Sequence, residues 1–312
     1  MEQKIDSPLI VILGPTATGK TNLAVQIAKR YPAEIISADS RQVYKDMDIG
    51  TGKDIEEYTI DGQTIPYHLI DIISPTQDYS VFQFQKDFYK CYKEIRRRKS
   101  IPILCGGTGL YLESILLNYN MAEVNPNPEL REKLEKESHE ELIQKLKELS
   151  PQLHNTTDLS SKKRTIRAIE IALFKEKGRG RKEKEKREDI HFKFCVIAIA
   201  PERNIVRDRI TNRLKVRLKS GLIDEVENML KNGLNRDRLD YFGLEYKFIG
   251  QFLDGSINYN DMFQKLNTAI HQFSKRQMTF FRRMEKRGIQ INWVENNEFE
   301  GVSEFLTKYF QG

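Results

Sequence analysis

The chain has 312 residues, 39% apolar and 31% charged, with a formal net charge of +6, enough for one large α/β domain plus a smaller one. No apolar run approaches the ~20 residues of a membrane-crossing helix, and the opening Met1-Glu2-Gln3-Lys4-Ile5-Asp6 lacks a signal-peptide core. Cys91, Cys105 and Cys195 are scattered without metal spacing, which excludes a zinc cluster and suits small buried hydrophobes in a reducing cytosol.

In chain order, Leu9-Ile10-Val11-Ile12-Leu13 reads as a buried strand, and Asn22 to Arg30 as a helix. Between them lies Gly14-Pro15-Thr16-Ala17-Thr18-Gly19-Lys20-Thr21, which fits G-x-x-x-x-G-K-[ST]. Strand, glycine loop and helix are the context that makes this pattern a phosphate site. The glycines let backbone N–H groups converge on an anion, and the helix N-terminus adds partial positive charge. Lys20 supplies a mobile cation, and the Thr21 hydroxyl suits Mg²⁺. The loop alone leaves open whether the phosphate belongs to a nucleotide.

Further strands are predicted at Glu34–Ala38, Tyr67–Ile72 and Ile101–Cys105, with a covering helix from about Val81 to Lys99. Short apolar runs alternating with helices imply a parallel sheet covered on both faces. Asp39-Ser40 and Gly106-Gly107-Thr108-Gly109 follow strand ends, where open α/β sheets place ligands, and are expected to flank the phosphate loop. The composition changes near Asn118. Asn127 caps a helix with Pro128 at its first position, the helical stretch runs from Glu129 to Leu149, and a second helix covers about Ser161 to Lys177. Lys182 to Asp189 contains no apolar residue and reads as mobile. Phe194–Ile199 then returns as a buried strand, and the C-terminal third is helical at about 203–220, 222–232, 241–254 and 259–286. The reading is therefore a catalytic core of residues 1–117 and 191–312, interrupted by a helical insertion at 118–190.

The excess charge is localised. Lys162 to Asp189 holds twelve Lys/Arg against six Asp/Glu, so this segment carries the whole net charge and the remainder is neutral. Such a segment suits a polyanionic partner or, more plainly, a solvated loop.

Three more stretches extend the pattern: Asp39-Ser40-Arg41-Gln42-Val43-Tyr44 running on to Met47-Asp48-Ile49-Gly50-Thr51-Gly52-Lys53, then Gly106-Gly107-Thr108-Gly109-Leu110-Tyr111, and late in the chain Lys275-Arg276-Gln277-Met278-Thr279-Phe280-Phe281-Arg282. Together with the phosphate loop this set resembles the tRNA dimethylallyltransferases, in the bacterial form without a C-terminal zinc finger. The resemblance implies a P-loop NTPase-like parallel sheet core with a helical insertion domain. It implies transfer of a dimethylallyl group from dimethylallyl diphosphate to the exocyclic N6 amine of adenosine at tRNA position 37, with Mg²⁺ assisting, in a monomeric cytoplasmic enzyme.

By that resemblance the residues from Gly14 to Thr21 hold the donor's diphosphate, with Thr21 on the metal. Asp39 is the catalytic base, and Thr16 lies near the diphosphate oxygens and the acceptor amine. Ser40, Arg41, Gln42 and Thr108 touch the tRNA near the target base, with Gln42 suited to an adenine edge. Arg131 and the run Lys163, Arg164, Thr165, Ile166 and Arg167 form the tRNA-contacting segment of the insertion. Arg276 and Gln277 match a late motif that helix packing explains equally well. Phe242-Gly243-Leu244-Glu245-Tyr246 departs from the family's usual pattern, and the basic run Gly178–Arg187 is longer than the family needs. Two rivals share parts of this reading. A P-loop small-molecule kinase would use the same loop with ATP, and an AMP isopentenyltransferase would need no basic insertion.

Overall fold

The computed structural model describes residues 8–121, 123–150, 159–176, 193–295 and 299–311. Leu9–Leu13 forms strand β1, with every residue buried. Helix α1 (Lys20–Arg30) leads to β2 (Ala33–Ser37), then a single 3-10 turn at Ile55–Tyr58 and two short strands, β3 (Thr59–Ile60) and β4 (Gln63–Thr64). β5 (Tyr67–His68), α2 (Val81–Arg97), β6 (Ile101–Gly106) and α3 (Gly109–Leu116) complete the first half. A six-stranded sheet has the order β5-β2-β6-β1-β7-β8, with β7 at Phe194–Ile199 and β8 at Asn292–Val294, and all its pairs are parallel.

Alternation along the strands divides the core. Ile10 and Ile12, Ile35, Ile103 and Ile197 face α1 and the last helix, α12 (Phe299–Gln311), in one cluster with Leu23, Ile27, Val302 and Leu306. The other face takes α2, whose Phe84, Phe88 and Ile95 are fully buried. The helical spacing of these aromatics had marked α2 as a covering helix.

The predicted strand at Tyr67–Ile72 stops at His68. Leu69 and Asp71 both adopt left-handed backbone, with φ of 62° and 55°, and cannot continue a strand. The C-terminal helices are α7 (Arg203–Lys219), α8 (Leu222–Lys231), α9 (Arg236–Phe242), α10 (Leu244–Leu253) and α11 (Tyr259–Lys286). The helix predicted at 241–254 is thus two, because Gly243 at φ 116° breaks the ladder between α9 and α10.

The chain divides into two compact units, Met1–Tyr119 with Phe192–Gly312, and Asn120–His191. The second contains α4 (Pro128–Glu135), α5 (His139–Leu149) and α6 (Lys162–Glu176) around Leu134, Leu142, Leu146, Ile166 and Ile169. Asn127 caps α4 through Leu130 N–H, with Pro128 next. The stretch predicted as one helix over 129–149 is interrupted because Ser138 starts α5. Its hydroxyl accepts from Glu141 N–H while the Glu141 carboxylate accepts from Ser138 N–H, a reciprocal cap. The basic run at 178–187 and the segment 182–189 lie outside the described residues.

Candidate active site

The phosphate loop joins β1 to α1. Gly14 is required by packing, since a Cβ there would lie 2.7 Å from the Ile199 carbonyl oxygen. Ala17 and Gly19 both have positive φ, 64° and 80°, which curls the loop at the start of α1. Pro15 O holds the curl: the buried Thr18 hydroxyl donates to it at 3.0 Å and Lys20 Nζ at 2.8 Å. Thr16 N–H donates to Gln277 Oε1 at 2.9 Å, and Gln277 Nε2 donates to Gly107 O at 2.9 Å. One buried carboxamide on α11 therefore ties the phosphate loop to the glycines after β6, where a Cβ on Gly107 would meet its amide at 2.5 Å. That is the packing role open to Gln277 from sequence. Arg276 lies over the Phe273 ring at 5.9 Å.

Asp39 follows β2. Sheet order places β6 between β2 and β1, so the Asp39 turn and the Gly106-Gly107 turn lie on the same side of the phosphate loop instead of flanking it. The turn is docked on β6: Ala38 N–H donates to Cys105 O at 2.7 Å, and Ser40 N–H to the Thr108 hydroxyl at 3.0 Å. Asp39 Oδ1 accepts Arg41 N–H at 2.8 Å across the turn, and Asp39 lines the same cavity as Thr16 to Thr21. That cavity has a volume of about 550 Å³, with Ser40, Arg41, Gln42 and Thr108 also in its wall. Gln42 accepts from the Ser37 hydroxyl at 2.8 Å and donates to Gly52 O at 2.9 Å, so its carboxamide braces the cavity wall through both ends.

Three arginines that the sequence reading missed enter from α7. Arg209, Arg213 and Arg217 recur every fourth residue, a single stripe facing the cavity. Arg213 donates to the Thr16 hydroxyl, and Arg217 reaches Asp54 at 3.2 Å. The four-residue spacing of arginines was the available signal, but such a stripe on a charged helix reads equally as a solvated face. Burial pushes the Lys20 ammonium down to about 8, with nearby Arg213 adding to the effect. Burial likewise lowers Arg213 to about 10, helped by Arg217. Two Glu side chains line the same cavity, Glu57 and Glu245, and burial raises both. The site is a cluster of desolvated cations and backbone amides beside the Asp39 carboxylate.

The run Met47 to Lys53 proves to be scaffolding for this wall. Glu225 accepts the N–H groups of Asp48, Ile49 and Gly50 at 2.8, 2.7 and 3.0 Å, and the Tyr246 hydroxyl at 2.8 Å. Lys53 is buried and paired with Asp48 and Asp71. The divergent Gly243-Leu244-Glu245-Tyr246 run thus lines the cavity with all four residues and supplies the Tyr246 strut.

In the second unit, Arg131 and Arg167 both bind Glu170. Arg131 does so bidentately at 2.9 and 2.8 Å, and Arg167 at 3.0 Å while also donating to Val124 O. Burial of Glu170 would raise its carboxyl, but Arg131, the Asn127 N–H and Arg167 outweigh it and hold it low. Thr165 and Ile166, expected in the tRNA-contacting run, are buried within the unit: Ile166 in its apolar core, Thr165 against His139 and Ser161 O. Neither is open to RNA in this structure. Lys163 and Arg164 are exposed.

Comparison with known proteins agrees with this geometry. A family model described as IPP transferase matches residues 42–284, and one described as isopentenyl transferase matches residues 7–65. The chain is 51% identical to tRNA dimethylallyltransferase 1 of Syntrophus aciditrophicus over 96% of this chain and 97% of that protein. It is 48% identical to tRNA dimethylallyltransferase 2 of Trichlorobacter lovleyi over 97% of each. Among solved structures, the full-length tRNA isopentenylpyrophosphate transferase of Bacillus halodurans superposes with a TM-score of 0.69 at 30% identity, covering 98% of this chain and 96% of that one. A eukaryotic dimethylallyltransferase acting on tRNA shares the fold with a TM-score of 0.72 at 22% identity, over 92% of this chain and 74% of that one. With a phosphate loop, a carboxylate beside it and a family match over most of its length, the chain belongs to the IPP transferase family.

Proposed function

We propose that this protein is a tRNA dimethylallyltransferase that moves the dimethylallyl group of dimethylallyl diphosphate onto N6 of adenosine 37 and releases diphosphate. The observation that carries this reading is the sharing of one cavity by the phosphate loop, Lys20, Arg213 and the Asp39 carboxylate. Diphosphate leaves well only when its developing charge is met. The loop amides, Lys20 and Arg213 are preorganised to meet it, and being desolvated they act strongly. As the allylic C–O bond breaks, the electron pair goes to the diphosphate and the C–N bond forms from the adenine amine. That amine is a weak nucleophile, its lone pair being delocalised into the ring. Asp39 accepts its proton, and the bond from Arg41 N–H to Asp39 Oδ1 orients the carboxylate. A stacked base cannot reach an enclosed carboxylate, so the adenosine enters extruded.

Residues suited to Mg²⁺ are present. The Thr21 hydroxyl lies in the cavity wall at the first turn of α1, and Mg²⁺ takes few protein ligands beside substrate phosphates. Bound there, the ion neutralises charge on the diphosphate. In the second unit, exposed Lys163 and Arg164 are the side chains offered to the RNA backbone. The decisive experiment incubates the protein with labelled dimethylallyl diphosphate and unmodified tRNA and analyses the nucleosides. The expected product is N6-(dimethylallyl)adenosine. Consumption of ATP γ-phosphate in place of the prenyl donor would instead make the protein a kinase.

A further inference from the structure

A second and larger cavity, about 940 Å³, lies on the opposite faces of α7 and α11, beyond the end of β7, with Pro15 in its wall. Its charge is one-sided. Arg203, Arg207, Lys275 and Arg282 line it, against the single acid Asp208. Several other arginines of this unit are paired with carboxylates: Arg217 with Asp54, Arg236 with Asp254, Arg238 with Asp78, and Arg283 and Arg287 with Glu113. Among the described residues, none of the four cations facing the cavity has such a partner. Two of them, Arg203 and Arg207, stand in the first two turns of a 17-residue helix, where they add to the positive end of its dipole beside the N-cap Glu202 and Asp208. An arrangement that repels itself is stabilised by an anion.

The cavity also has a polar recess. The Thr211 hydroxyl donates to Asn267 Oδ1 at 3.1 Å and lies 3.2 Å from His271 Nε2. With its proton on Asn267, that hydroxyl accepts from Nε2–H, which leaves His271 Nδ1 as a bare acceptor. Nδ1 is buried and has no partner. Burial, and then Arg207, lower the ring's affinity for a second proton. Val206, Ile210 and Met278 give the same cavity an apolar floor. The volume falls in the range of whole small-ligand pockets, roughly 300–1,000 Å³, well beyond a lone phosphate.

We propose that this cavity is a second anion site, distinct from the phosphate loop, that takes a nucleoside polyphosphate. Its phosphates lie among Arg203, Arg207, Lys275 and Arg282, and its nucleoside rests on the apolar floor of Val206, Ile210 and Met278. The test is irradiation of the full-length protein with 8-azido-ADP while excess dimethylallyl diphosphate occupies the loop, followed by peptide mapping. The expected label lies within 200–211 or 267–282. Calorimetric titration of the donor-saturated protein with ADP should weaken at least tenfold in the double variant Arg207→Glu with Arg282→Glu, both exposed positions, and tighten a few-fold in Asp208→Asn. Donor affinity measured alone should be unchanged in both. Label confined to the phosphate loop overturns the proposal, as does ADP affinity indifferent to these charges. So does a double variant that keeps ADP affinity but loses tRNA affinity, since the groove would then be an RNA track.

Discussion

Lys20 and Arg213 hold their charges in a desolvated cavity without an ion-pair partner among the described residues, and this sets the pH response of the site. The Lys20 ammonium in the free protein loses its proton near 8 because burial disfavours charge. A bound diphosphate favours the charged form and raises that value, so binding takes up a proton above pH 8. Affinity for dimethylallyl diphosphate should therefore be flat below about pH 7 and fall by up to about tenfold per pH unit above 8. Calorimetry from pH 6.5 to 9.5 measures it, and Lys20→Met should both weaken binding and flatten the profile. Asp39 has a different role, and its variant should separate from that of Lys20. Asp39→Asn keeps the turn and removes the base, so transfer should drop by about 10²–10⁴ while affinities for tRNA and donor stay near wild type. Single-turnover kinetics beside gel shifts would show the split, and unchanged turnover would remove Asp39 as the base.

At the level of elements, the wall of the site depends on contacts between segments far apart in sequence. Glu225 on α8 gathers three consecutive amides of the loop at 48–50 together with the Tyr246 hydroxyl. Its removal leaves several polar groups without partners at once. Glu225→Ala should destabilise the fold by about 2–3 kcal/mol, since charged hydrogen bonds and unsatisfied groups both count at this scale. It should also loosen donor binding, because the same loop reaches Gly52 and the cavity wall. Chemical denaturation against wild type tests the first effect, and Glu225→Gln should recover part of it. A variant as stable as wild type would mean the loop is held elsewhere.

Several elements were plain in the chain. β1, β7 and α2 follow from apolar period, and the phosphate loop follows from its glycines and lysine. Others were legible only in part. Tyr67 to Ile72 has a strand's composition, yet Leu69 and Asp71 turn left-handed, where tertiary contacts outweigh local preference. Residues 241–254 have a helix's pattern, and one glycine divides it. The arginine stripe of α7 was written in its spacing, but only the neighbouring loop shows which way the stripe faces.

For the whole molecule, the question is how a polyanionic substrate is held. Within the unit Asn120–His191, Arg131 and Arg167 pair with the buried Glu170, while Lys163 and Arg164 of the predicted run are exposed and have no carboxylate partner among the described residues. The double variant Lys163→Glu with Arg164→Glu should weaken tRNA binding and lower the slope of log affinity against log salt by about 2, with donor affinity intact. Salt-titrated gel shifts measure this, and an unchanged slope would move the RNA contact elsewhere.

The amino-acid order alone determined the parallel sheet, the phosphate-loop pattern and the presence of an interrupting helical segment. These depend on periodicity and local spacing, which are properties of neighbours along the chain. Only the tertiary structure decided that Gln277 bridges the phosphate loop to Gly107, that Arg213 reaches Thr16, that Glu225 cages the loop at 48–50, and that Thr165 and Ile166 are buried. Each of those depends on which groups meet after the backbone has packed. A charged or amide side chain acquires its role from the partner and the solvent exposure it finds there.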